Sequence, residues 1–267
     1  MNYSLYLVGS KARGDQNSQS DTDYVCIYNV KRPRIELPEG ASVSYYSVGK
    51  MKWMIENSKL FAKHLMSEGI PIIENKKHKQ LINSFEIKKD ILEKDLVEFI
   101  KATDRLDWIP ASDTGIKWAC DYIYTLSRNI IYISNALNDF FHFGYSEAVN
   151  KFLKNHNKIE YIAALQKIRL AKYNYRTNNP IQVDISIKSI SDVIYAVTNK
   201  RNAISLGGIS DFSNIKPNSY EHLRLTERAI INGEVSSEDY IKKLKRHSEY
   251  SCLLRDQARK ITTNLKG

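Results

Sequence analysis

Four residues near the amino terminus have the types and spacing of a site that handles phosphate and a metal ion. Gly9 and Ser10 follow the apolar stretch Leu5-Tyr6-Leu7-Val8. Asp21 and Asp23 come next and lead into a second apolar stretch, Tyr24-Val25-Cys26-Ile27-Tyr28. Side chains two apart on an extended strand point to one face, so two carboxylates at that spacing converge. Oxygen ligands of this kind suit a hard divalent cation. A Gly-Ser turn where a strand passes into a helix lets a ligand approach backbone N–H groups, which welcome phosphate. A phosphate cradle followed by paired carboxylates suits metal-assisted phosphoryl or nucleotidyl transfer.

Those side chains need a sheet to hold them. Turn residues and apolar runs predict strands near 4–8, 23–28, 41–47 and 70–74, with helices near 10–15, 48–56 and 58–68. Pro33, Pro38 and Gly40 separate the second and third strands. The chain opens almost inside its first strand, with no helix before the Gly-Ser turn. From about residue 78 the periodicity turns helical, beginning with Leu92, Leu96, Phe99 and Ile100 on one face. A longer helix is expected over 115–141, where Ala119, Tyr122, Ile123, Leu126, Ile130, Ile133, Leu137 and Phe140 recur at steps of three and four. Ser146 is a candidate cap for the next helix, and others are expected at 159–173, 187–200, 219–232 and 237–264. The fold class is α+β: a small mixed β-sheet core with helices over 1–80, then an all-α bundle over 81–267, with the boundary near 76–90.

The segment from Gly9 to Asp23 resembles the signature of the nucleotidyltransferase superfamily typified by DNA polymerase beta. That signature is an apolar residue, Gly, Gly or Ser, a spacer, and an acid-x-acid pair, and Lys11-Ala12-Arg13-Gly14 matches the basic form common in its minimal bacterial branch. The resemblance implies that Asp21 and Asp23 are catalytic and hold Mg²⁺, or Mn²⁺ in its place. It also implies that Gly9, Ser10 and the amides around them meet a nucleoside triphosphate, with Lys11 and Arg13 neutralising phosphate charge. In that superfamily a third carboxylate stands on the next strand. Here Ala41–Ser47 offers Ser42 and Ser44 on one face and no acid, so Ser42 stands where the Asp is expected, with Glu36 or Glu39 as substitutes.

Other candidates lie outside the signature. Arg128 and Asn129 interrupt an apolar helix, as does Asp121, and are read either as auxiliary nucleotide contacts or as a buried polar pair. Gln166–Arg176 interleaves Lys167, Arg169, Lys172 and Arg176 with Tyr173 and Tyr175, a pattern that suits a single nucleic-acid strand but also an ordinary cationic helix end. Lys242–His247 reads as a solvated face, and His64 and His142 as structural histidines. Tyr173, Tyr175, Tyr240 and Tyr250 are the hydroxyls considered for self-modification.

Composition bounds the rest. With 42% hydrophobic residues in 267, the chain has enough to bury a core. No apolar run reaches the roughly 20 residues of a membrane span, and no secretory signal is visible. Cys26, Cys120 and Cys252 are scattered and odd in number, against a disulfide framework or a zinc cluster and in favour of the cytoplasm. The net charge of +10 favours polyanionic partners over polycationic substrates. The expected function is Mg²⁺-dependent transfer of NMP or dNMP from an NTP or dNTP to a hydroxyl, with pyrophosphate release, making an oligonucleotide or nucleotide signal. The minimal relatives imply an anti-phage defence or toxin–antitoxin setting, with an effector or toxin protein as partner. The alternatives are AMP transfer to a partner toxin or to the chain's own Tyr or Ser, and a catalytically impaired subunit that binds nucleotide or nucleic acid.

Overall fold

The computed structural model describes residues 2–15, 22–176, 183–213, 215 and 219–236, with backbone alone for 173–176. Asp21, the side chains of Tyr173, Tyr175 and Arg176, the helix expected at 237–264 with Tyr240, Tyr250 and Lys242–His247, and Cys252 lie outside these described residues.

The sheet forms where the apolar runs and turn residues predict it. Strands β1 (Tyr3–Val8), β2 (Thr22–Tyr28), β3 (Ala41–Ser47) and β4 (Ile70–Ile73) pair in the order β3-β2-β1-β4. Strand β1 is antiparallel to β2 and β4, while β2 and β3 are parallel. Helix α1 (Gly9–Arg13) links β1 to β2, and α2 (Val48–Glu56), α3 (Leu60–Glu68) and α4 (Lys76–Asn83) follow. Helices α2 and α4 are opened by side-chain caps. The Ser47 hydroxyl accepts the Lys50 N–H at 3.1 Å to open α2, and the Asn75 side chain accepts the Lys77 N–H at 2.9 Å to open α4.

The helix-covered face of the sheet carries a core cluster. Tyr6 and Val8 on β1 and Val25 and Ile27 on β2 pack with Met51 and Ile55 of α2, Ala62 and Leu65 of α3, and Ile82 of α4. Asp23 and Ser42 share the parity of Val25 and Ile27 through the strand register, so they sit on this same helix-covered face. At the other end of β1, the buried Ser4 hydroxyl lies 3.0 Å from His78 Nδ1, and His78 Nε2 lies 2.9 Å from Asn29 Oδ1.

Helices α5 (Lys89–Thr103), α6 (Asp113–Leu137), α7 (Tyr145–Asn155), α8 (Ile162–Arg176), α9 (Ile187–Thr198) and α10 (Tyr220–Ile231) complete the described elements, with a 3-10 turn at Ile159–Tyr161 and a two-residue parallel pair, β5 (Trp108–Ile109) and β6 (Ser205–Leu206). The α+β expectation holds: a four-stranded mixed sheet with helices, followed by helices. Two compact units result, one of residues 1–97 and 131–155, the other of 98–130 and 156–267. Among the described residues no helix is long and apolar enough to cross a membrane.

The second unit buries charge as well as hydrocarbon. Arg224 Nη1 lies 2.9 Å from Asp121 Oδ2 and 2.8 Å from Glu227 Oε2, with side-chain exposures of 1%, 0% and 3%. Arg228 Nη1 donates to the Arg105 carbonyl at 2.7 Å, and its guanidinium stacks 4.1 Å from the Trp108 ring. Asp121 is thus half of a buried ion pair.

Candidate active site

Strand register brings the ends of three strands together. Val8, the last residue of β1, pairs with Asp23 near the start of β2, so the turn into α1 faces the Asp23 side chain. Gly9 takes φ +76°, a left-handed conformation that a side chain resists, and a Cβ there would stand 3.6 Å from Asp23 Oδ2. Glycine therefore makes the turn and leaves the carboxylate exposed to it. Val8 at the cap position supplies no side-chain acceptor, which leaves the first amides of α1 for a ligand or water.

The neighbouring strand supplies the second constraint. Parallel pairing sets Ser42 beside Asp23, and the Ser42 hydroxyl donates to Asp23 Oδ1 at 2.8 Å. One carboxylate oxygen is tethered to β3 and the other faces Gly9. Glu36 and Glu39 lie exposed in the 29–40 connection. Among the described residues, which exclude Asp21, no three or more His, Cys, Asp or Glu side chains gather as a metal cluster. The oxygens of Asp23 and Ser42 are hard donors and fit Mg²⁺ rather than a soft metal.

The two basic residues of the turn differ. Lys11 Nζ donates to the Thr22 hydroxyl, a neutral partner, so its charge is not offset there. Arg13 is gripped by two acids: its Nη1 lies 3.1 Å from Glu68 Oε2, and its Nε and Nη2 each lie 3.3 Å from Asp15 carboxylate oxygens. Glu68 is a hub. It also accepts the Phe143 N–H at 3.2 Å and has His64 Nε2 at 3.1 Å. Against the upward push of burial, the hydrogen bonds from His64 and Arg13 hold its carboxyl below the usual glutamate range. Gly144 closes the cluster, since a Cβ there would stand 3.4 Å from Asp15 Oδ2. Sequence reading named Arg13 but missed Glu68 and Asp15. The spacing of His64 and Glu68 at i and i+4 on α3, just before β4, was the available signal.

Arg128 and Asn129 fall in the second unit, half-buried on α6. The Arg128 guanidinium lies 5.8 Å from the Tyr124 ring, and its Nε has no hydrogen-bond partner among the described residues. His142 Nδ1 lies 3.2 Å from Glu147. Burial pushes the Cys26 thiol up to about 11 and the Cys120 thiol up to about 12, so neither is a thiolate nucleophile at neutral pH.

Residues 2–110 match the family model described as a nucleotidyltransferase domain. This part of the chain belongs to the nucleotidyltransferase superfamily. The matched span contains β1 to β5, α1 to α5, the Gly9 turn, Asp23 and Ser42. No curated protein matches the chain. A nucleotidyltransferase domain over residues 2–110 supports the transferase class, with transfer of a nucleoside monophosphate from a nucleoside triphosphate as the general chemistry of that domain.

Proposed function

We propose that the chain is a Mg²⁺-dependent nucleotidyltransferase that moves NMP or dNMP from a nucleoside triphosphate to a hydroxyl acceptor. The observation that carries this reading is the Asp23 carboxylate, held through one oxygen by Ser42 and turned through the other towards the Gly9 turn. Asp21 and Asp23 would hold the cation, which neutralises triphosphate charge when bound. Ser10 and the first amides of α1 receive the phosphates, and Lys11 adds a charge that its neutral partner leaves available. Arg13 serves by anchoring the end of the turn to Glu68. The acceptor hydroxyl oxygen forms a bond to the α-phosphorus, the bond from that phosphorus to the bridging oxygen breaks, and pyrophosphate departs. The hydroxyl proton passes to water.

The product on this reading is an oligonucleotide or nucleotide signal made in anti-phage defence in the bacterial cytoplasm. The superfamily resemblance and the net charge of +10 support it. Purified protein incubated with each labelled NTP and dNTP plus Mg²⁺ tests the reading: pyrophosphate release that disappears in Asp23→Asn is expected. Equal release by both proteins, or none by the wild type with any nucleotide, overturns it. A second reading rests on Ser42 itself. With a hydroxyl where the superfamily has an acid, the site binds nucleotide without turning it over, and calorimetry showing tight binding without release would favour this.

A further inference from the structure

Away from the Gly9 turn, the first unit carries a row of rings and ammonium groups in the order of a strand-binding surface. Lys50 Nζ lies 4.4 Å from the centre of the Trp53 ring, and Lys59 Nζ lies 5.9 Å from it on the α3 side. Lys59 precedes α3 at its cap position, and Lys63 follows in the first turn of that helix. Lys63 Nζ lies 5.0 Å from the centre of the Phe141 ring. The row runs from α2 through the start of α3 to residue 141. It ends beside the nucleotide turn, because the next residues reach that turn: the Phe143 N–H donates to Glu68, and Gly144 packs against Asp15.

Trp53 is 45% exposed, whereas Trp108 and Trp118 are 5% and 0% exposed. An indole left in water on a helix, with cations over its ring, is not there for the core. Lys59 is partly offset by Asp95 at 2.6 Å. Rings that stack bases, interleaved with cations that track phosphates, are what single-stranded nucleic acid recognition requires. We propose that this row binds a single-stranded nucleic acid, and, resting on the transfer reading above, that the bound strand is the hydroxyl acceptor. A duplex fits poorly because its bases are already stacked and its faces closed. An acidic protein would satisfy the lysines but has no use for the exposed indole.

The test needs neither nucleotide nor metal. Short single-stranded oligonucleotides, oligo-dT and oligo-U, are titrated into the full chain while Trp emission and the anisotropy of a labelled strand are followed. Stacking on Trp53 is expected to quench emission, and Trp53→Ala to weaken binding by about fivefold or more. With Lys50 and Lys63 engaged and Lys59 held by Asp95, log K should fall against log salt with a slope of about −1.4, and Lys63→Ala should make it shallower by about 0.7. No quenching, unchanged binding in both variants, or equally good competition by duplex DNA or polyglutamate overturns the proposal. A wild type that turns over nucleotide but ignores the strand refutes this surface alone. One that binds the strand but never releases pyrophosphate refutes the transfer reading instead.

Discussion

Replacing Ser42 separates the two roles open to the position where the superfamily has an acid. In Ser42→Ala the 2.8 Å hydrogen bond to Asp23 Oδ1 is lost. A hydrogen bond to a charged group contributes about 1.5–3 kcal/mol when sheltered. Ser42 is exposed and Asp23 only half-buried, so water replaces much of the loss and about 1 kcal/mol remains. That corresponds to a fall of about fivefold in kcat/KM, since Asp23 is freed to rotate away from the Gly9 turn. Ser42→Asp does the reverse to the metal. It places a second carboxylate beside Asp23 across the parallel register, where two like charges repel until a cation lies between them. Half-saturation by Mg²⁺ should then fall and kcat rise by about tenfold, equivalent to about 1.4 kcal/mol. The assay is initial-rate pyrophosphate release over a Mg²⁺ titration at fixed nucleotide. Ser42→Ala within twofold of wild type, together with Ser42→Asp unchanged in both rate and Mg²⁺ dependence, would refute the argument that Ser42 orients Asp23.

Asp23→Asn should lower turnover by more than about 100-fold while thermal stability holds, because a carboxylate facing a turn contributes to the ligand rather than to the core; activity assays beside melting curves check this. Glu68→Ala releases Arg13, His64 and the Phe143 N–H together, and is expected to raise KM for nucleotide by about fivefold to tenfold with a smaller change in kcat. An equal effect from Arg13→Ala, with no further loss in the double variant, would confirm that both act through one contact. Because its carboxyl is held below the usual value, Glu68 contributes stability that is fully present above the unfolded value of about 4.3 and is lost as pH falls through the lower folded value. Urea midpoints from pH 6 to 3 should therefore fall more steeply in wild type than in Glu68→Gln. Arg224→Ala leaves Asp121 and Glu227 buried without their cation and should cost about 3–5 kcal/mol. A denaturation midpoint unchanged within error would show that the cluster opens to water.

Much of the candidate site was legible in the sequence because strand chemistry is local. Val25 and Ile27 point into the core cluster, and Asp23, two residues before Val25, shares their face. The same logic sets Ser42 opposite it, and the structure pairs the two. Helix α2 begins where Ser47 can cap it. What was not legible depends on contacts far apart in the chain. Asp121 looks like an interruption of an apolar helix until Arg224 arrives beside it. Helix α10 reads as an ordinary amphipathic helix, yet Leu223 to Ile231 are all buried, Arg224, Glu227 and Arg228 among them. The two-residue strands β5 and β6 are too short for any periodicity to show.

The basic residues of the Gly9 turn show why sequence alone cannot rank like charges. Lys11 and Arg13 sit two apart on one short helix, and residue type favours Arg13, whose fork suits phosphate. Partners reverse that order. The guanidinium faces Glu68 and Asp15, so a phosphate approaching it would have to displace two carboxylates and would meet little net positive charge. Among the described residues, the ammonium of Lys11 meets a threonine hydroxyl, a neutral partner. On the proposed reading, the turn divides between a residue that holds the loop in place and one that greets the ligand. The division was set 55 positions downstream, by the acid at the end of α3.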